Sequence, residues 1–403
     1  MRFLFCSLAS HGFVYPAIGI AQVLRQRGHE VAFVTDLTFS DTLAQAGFER
    51  ISRGHTDGPS FQVKLWAEPL AVAVQVKHIE YALEQFGPDI ILGQQLTFGP
   101  LIAAHRHCLP VAILGLAAYL WPASAALLRR APRSERERRL VWRYAAMMER
   151  YNQALALFGL SPSQAHYRDT PLLGDLFLLQ SIPELEGEVH ELPRQVQLIG
   201  DCSWEPLQAD AELAHWLEQA HAAQQPVIYV QPGRSFQEAG FWPYVLTALA
   251  DRPVCVVASV GRMDSAIGAI PGNFFVRSHV PQGLVLPHAR AVICSGHTTA
   301  VLGALTHGLP SLLIPNGSGT EDITERCQHA GAAISLAPDT VTAATLQHAV
   351  ETLLQCLGLR HKARALQQAF AHVHGLERAA DLLERLAVTR HPTLRHIHQP
   401  SAV

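Results

Sequence analysis

Short blocks of consecutive apolar residues alternate along this chain with longer stretches in which apolar positions recur every three or four residues. A short continuous block fits a strand buried on both faces, and the wider spacing fits a helix lying over it. Residues 3–8 read as a strand, 17–27 as a helix ended by Gly28, 31–35 as a strand and 40–46 as a helix closed by Gly47. Further strands are expected at 90–92, where Pro88 and Asp89 punctuate the start, and at 111–114; the stretch 61–86 is mostly helical in pattern. The alternation pauses at 193–206, where an apolar strand (196–199) closes at Gly200 and polar sequence follows. It restarts with strands at 227–230, 254–258, 274–276, 292–294 and 312–314, with helices between them and after Thr342. The stretch 357–386 is strongly helical and precedes a polar tail. Such alternation means βα units on parallel sheets, so the class is α/β, with two domains. The boundaries are 1–200, a linker at 201–222, a second domain at 223–375, and a helix and tail at 376–403 that pack back toward the first domain. Two such domains imply a cleft between them, with ligand at the C-terminal strand ends.

One stretch carries chemistry more plainly than the rest. After the strand ending at Cys294 comes Ser295-Gly296-His297-Thr298-Thr299, then a helix-like run to Leu305 and Gly308-Leu309-Pro310. A second strand ends at Pro315 and leads into Asn316-Gly317-Ser318-Gly319-Thr320-Glu321-Asp322. Strand, small-residue turn and helix N-terminus make an anion pocket, because free backbone N–H groups point outward and the helix dipole favours negative charge there. The segment suggests a protein that grips a diphosphate.

Composition narrows the partners. A chain of 403 residues with 49% apolar residues can bury two cores. A formal charge of −3 gives no bulk attraction to nucleic acid or anionic membrane. No run of eighteen apolar residues appears, so no stable membrane insertion is expected, and the N-terminus reads as a buried strand rather than a leader. The seven cysteines lack CxxC spacing, which points to free thiols in the cytoplasm rather than a zinc site or disulfides. Among 22 histidines no compact ligand pair stands out, and His105 and His107 read as helix-end decoration. The charged stretch 129–150 interleaves Arg133, Arg136, Arg138, Arg139 and Arg143 with Glu135, Glu137 and Glu149, which fits a solvated helix laced with ion pairs.

The chain resembles the family 1 glycosyltransferases, the GT-B enzymes that glycosylate natural products, sterols, lipids and antibiotics. The N-terminal half carries Ser10-His11-Gly12-Phe13-Val14-Tyr15-Pro16 and Arg27-Gly28-His29-Glu30-Val31, similar to the family's opening loop and turn. The C-terminal half carries Val280-Pro281-Gln282, Leu286-Pro287-His288-Ala289, Gly308-Leu309-Pro310, Pro315 and Arg326, similar to its sugar-nucleotide signature. The order and spacing of these pieces span nearly the whole chain. The resemblance implies two Rossmann-like parallel-sheet domains facing across a cleft, with acceptor bound by the first and nucleotide sugar by the second. It implies transfer with inversion and without a metal ion, so that the protein itself meets the charge of the leaving diphosphate. It places Ser295, Gly296 and Thr299 at the pyrophosphate turn, with Gly233 and Ser235 on the opposing loop. Val280 and Gln282 match the base and ribose segment, and His279 stands where a stacking tryptophan is usual. Thr320, Glu321 and Asp322 lie near the pair that holds sugar hydroxyls.

The departures from the family pattern matter. The pyrophosphate turn is usually His-Gly-Gly; here it is Ser295-Gly296-His297, and His297 is available to supply the imidazole from two positions along. A usual helix glutamate is Gly303. The usual catalytic histidine position is Phe13, and its aspartate partner is Gly93, Gln94 or Gln95. Three explanations compete. His11 acts as the base; or the acceptor needs little base help, or draws it from elsewhere, with His55, Asp57 and His78 as candidates; or the chain is a catalytically silent relative. On the acceptor side Phe13, Tyr15, Trp66, Phe98, Tyr119 and Trp121 are the aromatic candidates, suited to a lipophilic or aromatic acceptor. The expected function is hexosyl transfer from UDP- or dTDP-sugar, used as substrate with no cofactor and no metal, to a small natural product. The protein would be a monomer or homodimer. The alternatives are a silent accessory protein bound to a partner enzyme and a GT-B sugar-nucleotide epimerase.

Overall fold

The computed structural model describes residues 1–54, 57–122, 125–163, 170–187, 189–206, 209–233, 240–261 and 267–395. The chain divides into two units, Met1–Pro206 with Val373–Val403, and Leu207–His372. The first unit contains strands β1 (Arg2–Cys6), β2 (Glu30–Val34), β3 (Glu49–Arg50), β4 (Ile90–Gln94), β5 (Val111–Leu114), β6 (Leu176–Leu179) and β7 (Val196–Leu198). They pair in the order β3-β2-β1-β4-β5-β6-β7, every pair parallel. The second contains β8 (Val227–Gln231), β9 (Cys255–Ser259), β10 (Phe274–Arg277), β11 (Ala289–Cys294), β12 (Ser311–Leu313) and β13 (Ala333–Ser335). Their order is β10-β9-β8-β11-β12-β13, again parallel throughout.

Parallel neighbours need crossover helices, and helices on both faces explain why β4, β5 and β6 are buried along their whole length. In each sheet the strand order reverses once, between β1 and β4 and between β8 and β11. Loops leaving the carboxyl ends of such a pair part to opposite faces, and a crevice opens there.

Several elements differ from the sequence reading. The first helix is His11–Gln26 and starts six residues before the expected 17, running through Gly12 and Pro16. His11, Phe13 and Tyr15 are therefore helical residues, not loop residues. The helix expected over 61–86 is Pro69–Phe86, with proline in its first turn and Gly87 left-handed (φ 60°) at its end. The linker region 201–222 contains the helix Ala211–Ala222. The stretch 357–386 is two helices, Leu357–Ala371 and Gly375–Thr389, separated where His374 takes φ 49°. Strands β3, β6 and β13 were not expected; β3 and β13 are edge strands of two and three residues, whereas β6 is a buried apolar block that the reading passed over.

The last helix belongs to the core of the first unit. Ala379, Ala380, Leu383, Leu386 and Ala387 pack with Val14, Ile18, Ala21 and Leu24 of the first helix and with Phe3 and Phe5 of β1. At its rim Arg27 donates to Asp381 (2.7 Å) and Glu384 (2.9 Å), and His29 Nε2 lies 2.8 Å from Glu384. These pairs are partly exposed and contribute about 0–1 kcal/mol each, so the apolar contact dominates.

A buried charge cluster fixes the chain after β3. Asp57 accepts from Arg53 N–H (2.5 Å), Arg50 Nη2 (2.8 Å) and Ser52 Oγ (2.9 Å), with His78 Nε2 at 3.6 Å. Burial works to raise the Asp57 pKa, but these donors and the nearby His78 outweigh it and hold the carboxyl below its ordinary range. A depressed carboxylate stabilises the fold above its unfolded pKa, near 4, and loses that contribution as pH falls through its lower folded value. Asp57→Asn is expected to cost about 2 kcal/mol at pH 7. Urea unfolding of the two proteins should show that gap narrowing toward pH 3. A gap unchanged between pH 7 and pH 3 would show that the charge plays no part.

Candidate functional site

In the second unit, Gln231 ends β8 opposite Cys294, the last residue of β11. The loops beyond them meet at the reversal point of the sheet. Gly233 has φ 82°, and a Cβ there would lie 2.7 Å from Ser295 Oγ and 2.8 Å from His297 Cε1. Only glycine combines that backbone angle with so close an approach. Ser295 is fully buried, and its Oγ lies 2.5 Å from His297 Nδ1. With the ring proton on Nε2 the hydroxyl donates to Nδ1, and with it on Nδ1 the ring donates to Oγ and leaves Nε2 an acceptor.

His297 is also the N-cap residue of the helix Thr298–Thr306, and its side chain makes no capping bond. The partial positive charge of that helix end lies at the same place as the ring. Gly296 has φ 78°, and a Cβ there would meet Thr324 Oγ1 at 2.9 Å and Thr320 O at 3.0 Å. The helix Ser318–His329 thus packs directly against the turn. Gly296 N–H bonds the Cys294 thiol, whose pKa burial pushes up to about 12, so the sulfur is a neutral thiol under the turn.

The other expected residues distribute as follows. Val280 N–H donates to Ser259 Oγ at the end of β9 (3.2 Å), and Gln282 Nε2 donates to Thr299 O (3.3 Å). The segment 280–282 is thereby tied to the start of the helix Thr298–Thr306. His279 is exposed beside it. A Cβ at Gly303 would meet Leu286 Cδ1 at 2.8 Å and Gln282 Oε1 at 3.0 Å, so no longer side chain fits there without repacking. The Thr320 hydroxyl accepts from Asn316 N–H (3.0 Å) and donates to Gly317 O (2.7 Å), which commits it to its own loop. Glu321 is half-buried and Asp322 is buried. Ser235, like His55, lies outside the described residues.

In the first unit the reversal point between β1 and β4 is held by a residue the sequence reading considered only as a missing aspartate. Gln94 Oε1 accepts from Leu8 N–H (3.2 Å), and its Nε2 donates to Phe13 O (2.6 Å). Both amide atoms are used on backbone, so Gln94 fastens the start of the first helix, which bears His11, to β4. His11 itself is exposed at the first position of its helix, with its ring 4.9 Å from Tyr15 and 5.4 Å from Phe39. Tyr15 packs edge-on against Trp204 (5.4 Å). Phe13 is half-buried. Trp66 meets Phe98 at 5.8 Å, and Phe98 meets Tyr151 at 5.5 Å. Phe98, Tyr119 and Trp121 are at most 2% exposed and belong to the packed core of this unit. Asp57 and His78 are spent on the cluster behind β3, where His78 Nε2 donates to Ile51 O (2.9 Å). Burial lowers the His78 pKa against the pull of Asp57 and the bond to Ile51 O.

His107 ends the helix Phe98–His107 and bonds Glu80 (3.1 Å). Among the described residues, no three His, Cys, Asp or Glu side chains are grouped as metal ligands, and no helix is long and apolar enough to cross a membrane.

Both units match known families. Residues 7–114 match the model of the glycosyltransferase family 28 N-terminal domain, and residues 244–381 match that of the erythromycin biosynthesis protein CIII-like C-terminal domain. The chain belongs to the family 1 glycosyltransferases of GT-B fold and natural-product type. This glycosyltransferase is 24% identical over 427 residues to 4'-demethylrebeccamycin synthase of Lentzea aerocolonigenes, across 96% of its own length and 99% of the relative's. It superposes on the calicheamicin glycosyltransferase CalG4 with a TM-score of 0.69 at 25% identity, covering 96% and 98% of the two chains. Against the glycosyltransferase VinC, solved in complex with dTDP, the TM-score is 0.68 at 18% identity, covering 96% of this chain and all of that one (100%).

Proposed function

We propose that this glycosyltransferase moves a sugar from a nucleoside diphosphate sugar to a hydroxyl of a small natural product, with inversion and with the diphosphate held by protein donors rather than a metal ion. The observation that carries this reading is the Ser295–His297 pair, 2.5 Å apart, seated against Gly233 at the start of the helix Thr298–Thr306. Turn amides, a helix end and, with the ring proton on Nε2, an imidazole N–H suit the charge that develops on a departing diphosphate. In this reading the segment 280–282, tied to the same helix, meets the nucleoside. The dTDP in VinC supports dTDP as the carrier, with UDP as the other choice.

In the step itself the acceptor oxygen forms a bond to the anomeric carbon while the bond from that carbon to the diphosphate oxygen breaks. The electron pair leaves with the diphosphate, and the acceptor proton goes to His11. Both Gln94 amide atoms bond backbone, and in this reading His11 is positioned by the helix that bears it and by Gln94's grip on that backbone. We place the enzyme in the cytoplasm, where its seven free cysteines stay reduced.

The test is donor turnover by the full chain. UDP-glucose and dTDP-glucose are each incubated with a pool of hydroxylated polyketides and phenols. Release of nucleoside diphosphate matched by glycosylated product of opposite anomeric configuration is the expected result. Retained configuration would overturn the inverting step, and no release with any pairing would support a silent relative.

A further inference from the structure

A second set of polar side chains lines the carboxyl ends of the strands in the first unit. Gln95 follows β4 and Gln180 follows β6, the two neighbours of β5. Both reach the one peptide that joins Gly115 to Leu116, just past β5. Leu116 N–H donates to Gln95 Oε1 (3.2 Å), and Gln180 Nε2 donates to Gly115 O (2.7 Å). These bonds fix how each amide is turned, since a backbone N–H meets only an oxygen and a carbonyl meets only an N–H. Gln95 is left with its amino group and Gln180 with its carbonyl oxygen.

Both of those atoms are buried without a protein partner, and so are the hydroxyls of Thr97 and Ser181 on the same two strand ends. All four residues are at most 3% exposed. The adjacent Gln94, by contrast, has both amide atoms bonded. Buried polar groups are almost always paired, so four open ones along one rim call for an explanation. The rim runs from the reversal point beside β1, the place where open α/β sheets take ligands.

We infer that this rim is a polar acceptor subsite that recognises a carboxamide or trans secondary amide, with its carbonyl toward Gln95 and its N–H toward Gln180. The ligand then adds one rung to the ladder that the two glutamines already extend across β5. The inference rests on the reading that the first unit takes the acceptor. It also replaces the expected aromatic wall with a polar contact, because Phe98, Tyr119 and Trp121 are committed to the core.

The test compares two phenols of similar shape, 4-hydroxybenzamide and 4-isopropylphenol, by direct binding to the full-length protein. The benzamide should bind at least tenfold more tightly. Gln95→Glu keeps an oxygen for Leu116 N–H while turning the open donor into an acceptor, and it should erase that preference while changing isopropylphenol affinity less than twofold. Gln180→Met is the second variant, read in the same way should thermal melting show that the buried carboxylate unfolds the first. Equal affinity of the two probes, or an unchanged ratio in a folded variant, would overturn the subsite and leave the rim to structural water. Release of dTDP from dTDP-glucose with the same probes is read separately. Release without discrimination sinks the subsite alone, whereas discrimination in binding without any release sinks the transfer reading and leaves the subsite standing.

Discussion

Replacing His297 by alanine is expected to lower kcat for sugar transfer about 10²–10³-fold while leaving the fold intact. The size follows from the usual cost of removing one preorganised donor from a site where negative charge develops. The ring is half-buried and caps its helix without a side-chain bond, so little packing is lost with it. Ser295→Ala should cost less, about tenfold, because the turn amides and the imidazole remain and only the group that anchors Nδ1 is gone. If the pair acts as one unit, the double variant should be no slower than His297→Ala alone. Steady-state turnover of dTDP-glucose measures all three. A His297→Ala enzyme within threefold of the parent would show that the ring does not touch the leaving group.

Gly375→Ala should destabilise the protein by more than about 3 kcal/mol, a large effect for one methyl group. A Cβ at Gly375 would lie 1.9 Å from Asp201 O and 2.8 Å from Ile199 O. Both are backbone atoms and neither swings aside as a side chain would. The helix Gly375–Thr389 would have to move, and with it the five core residues that it contributes over β1. Gly358→Ala is the control. It sits inside the helix Leu357–Ala371, and a Cβ there would meet only Cys356 Sγ, at 3.8 Å. That change should be neutral or stabilising by up to about 1 kcal/mol. Urea unfolding of both variants checks the pair, and equal stabilities would show that the last helix is only loosely seated.

The alternation of apolar blocks with helical spacing was enough to read a parallel α/β architecture, because buried parallel strands leave a plain signal. Strands without that signal escaped. Glu49 and Arg50 form a two-residue edge strand whose side chains are polar, and Ala333–Ser335 is scarcely longer. The early start of the first helix was hidden by Gly12 and Pro16, which read as breakers; Gly12 falls in the first turn, and Pro16 lies inside the helix, which forgoes one hydrogen bond to the Gly12 carbonyl there.

At the site, the turn after Cys294 stood out because small residues between a strand and a helix have few other uses. What the sequence could not give was partnership between distant residues. Gln94, Gln95 and Gln180 acquire meaning only from the strand order β1-β4-β5-β6, which places residues up to 86 positions apart along one rim. Thr324 is similar, since its contact with Gly296 depends on how one helix lies over the turn. The aromatic candidates erred in the other direction. A tryptophan or tyrosine in a sequence announces its area and not which way it faces, and Trp121 and Tyr119 face the core.

The account stands on the second unit holding a diphosphate at the turn 295–299, and the structure of the protein crystallised with dTDP tests this most directly. The expected result is a phosphate oxygen within about 3 Å of His297 Nε2 and of the backbone N–H groups that open the helix Thr298–Thr306. Phosphates bound elsewhere, with the Ser295–His297 pair untouched, would contradict it.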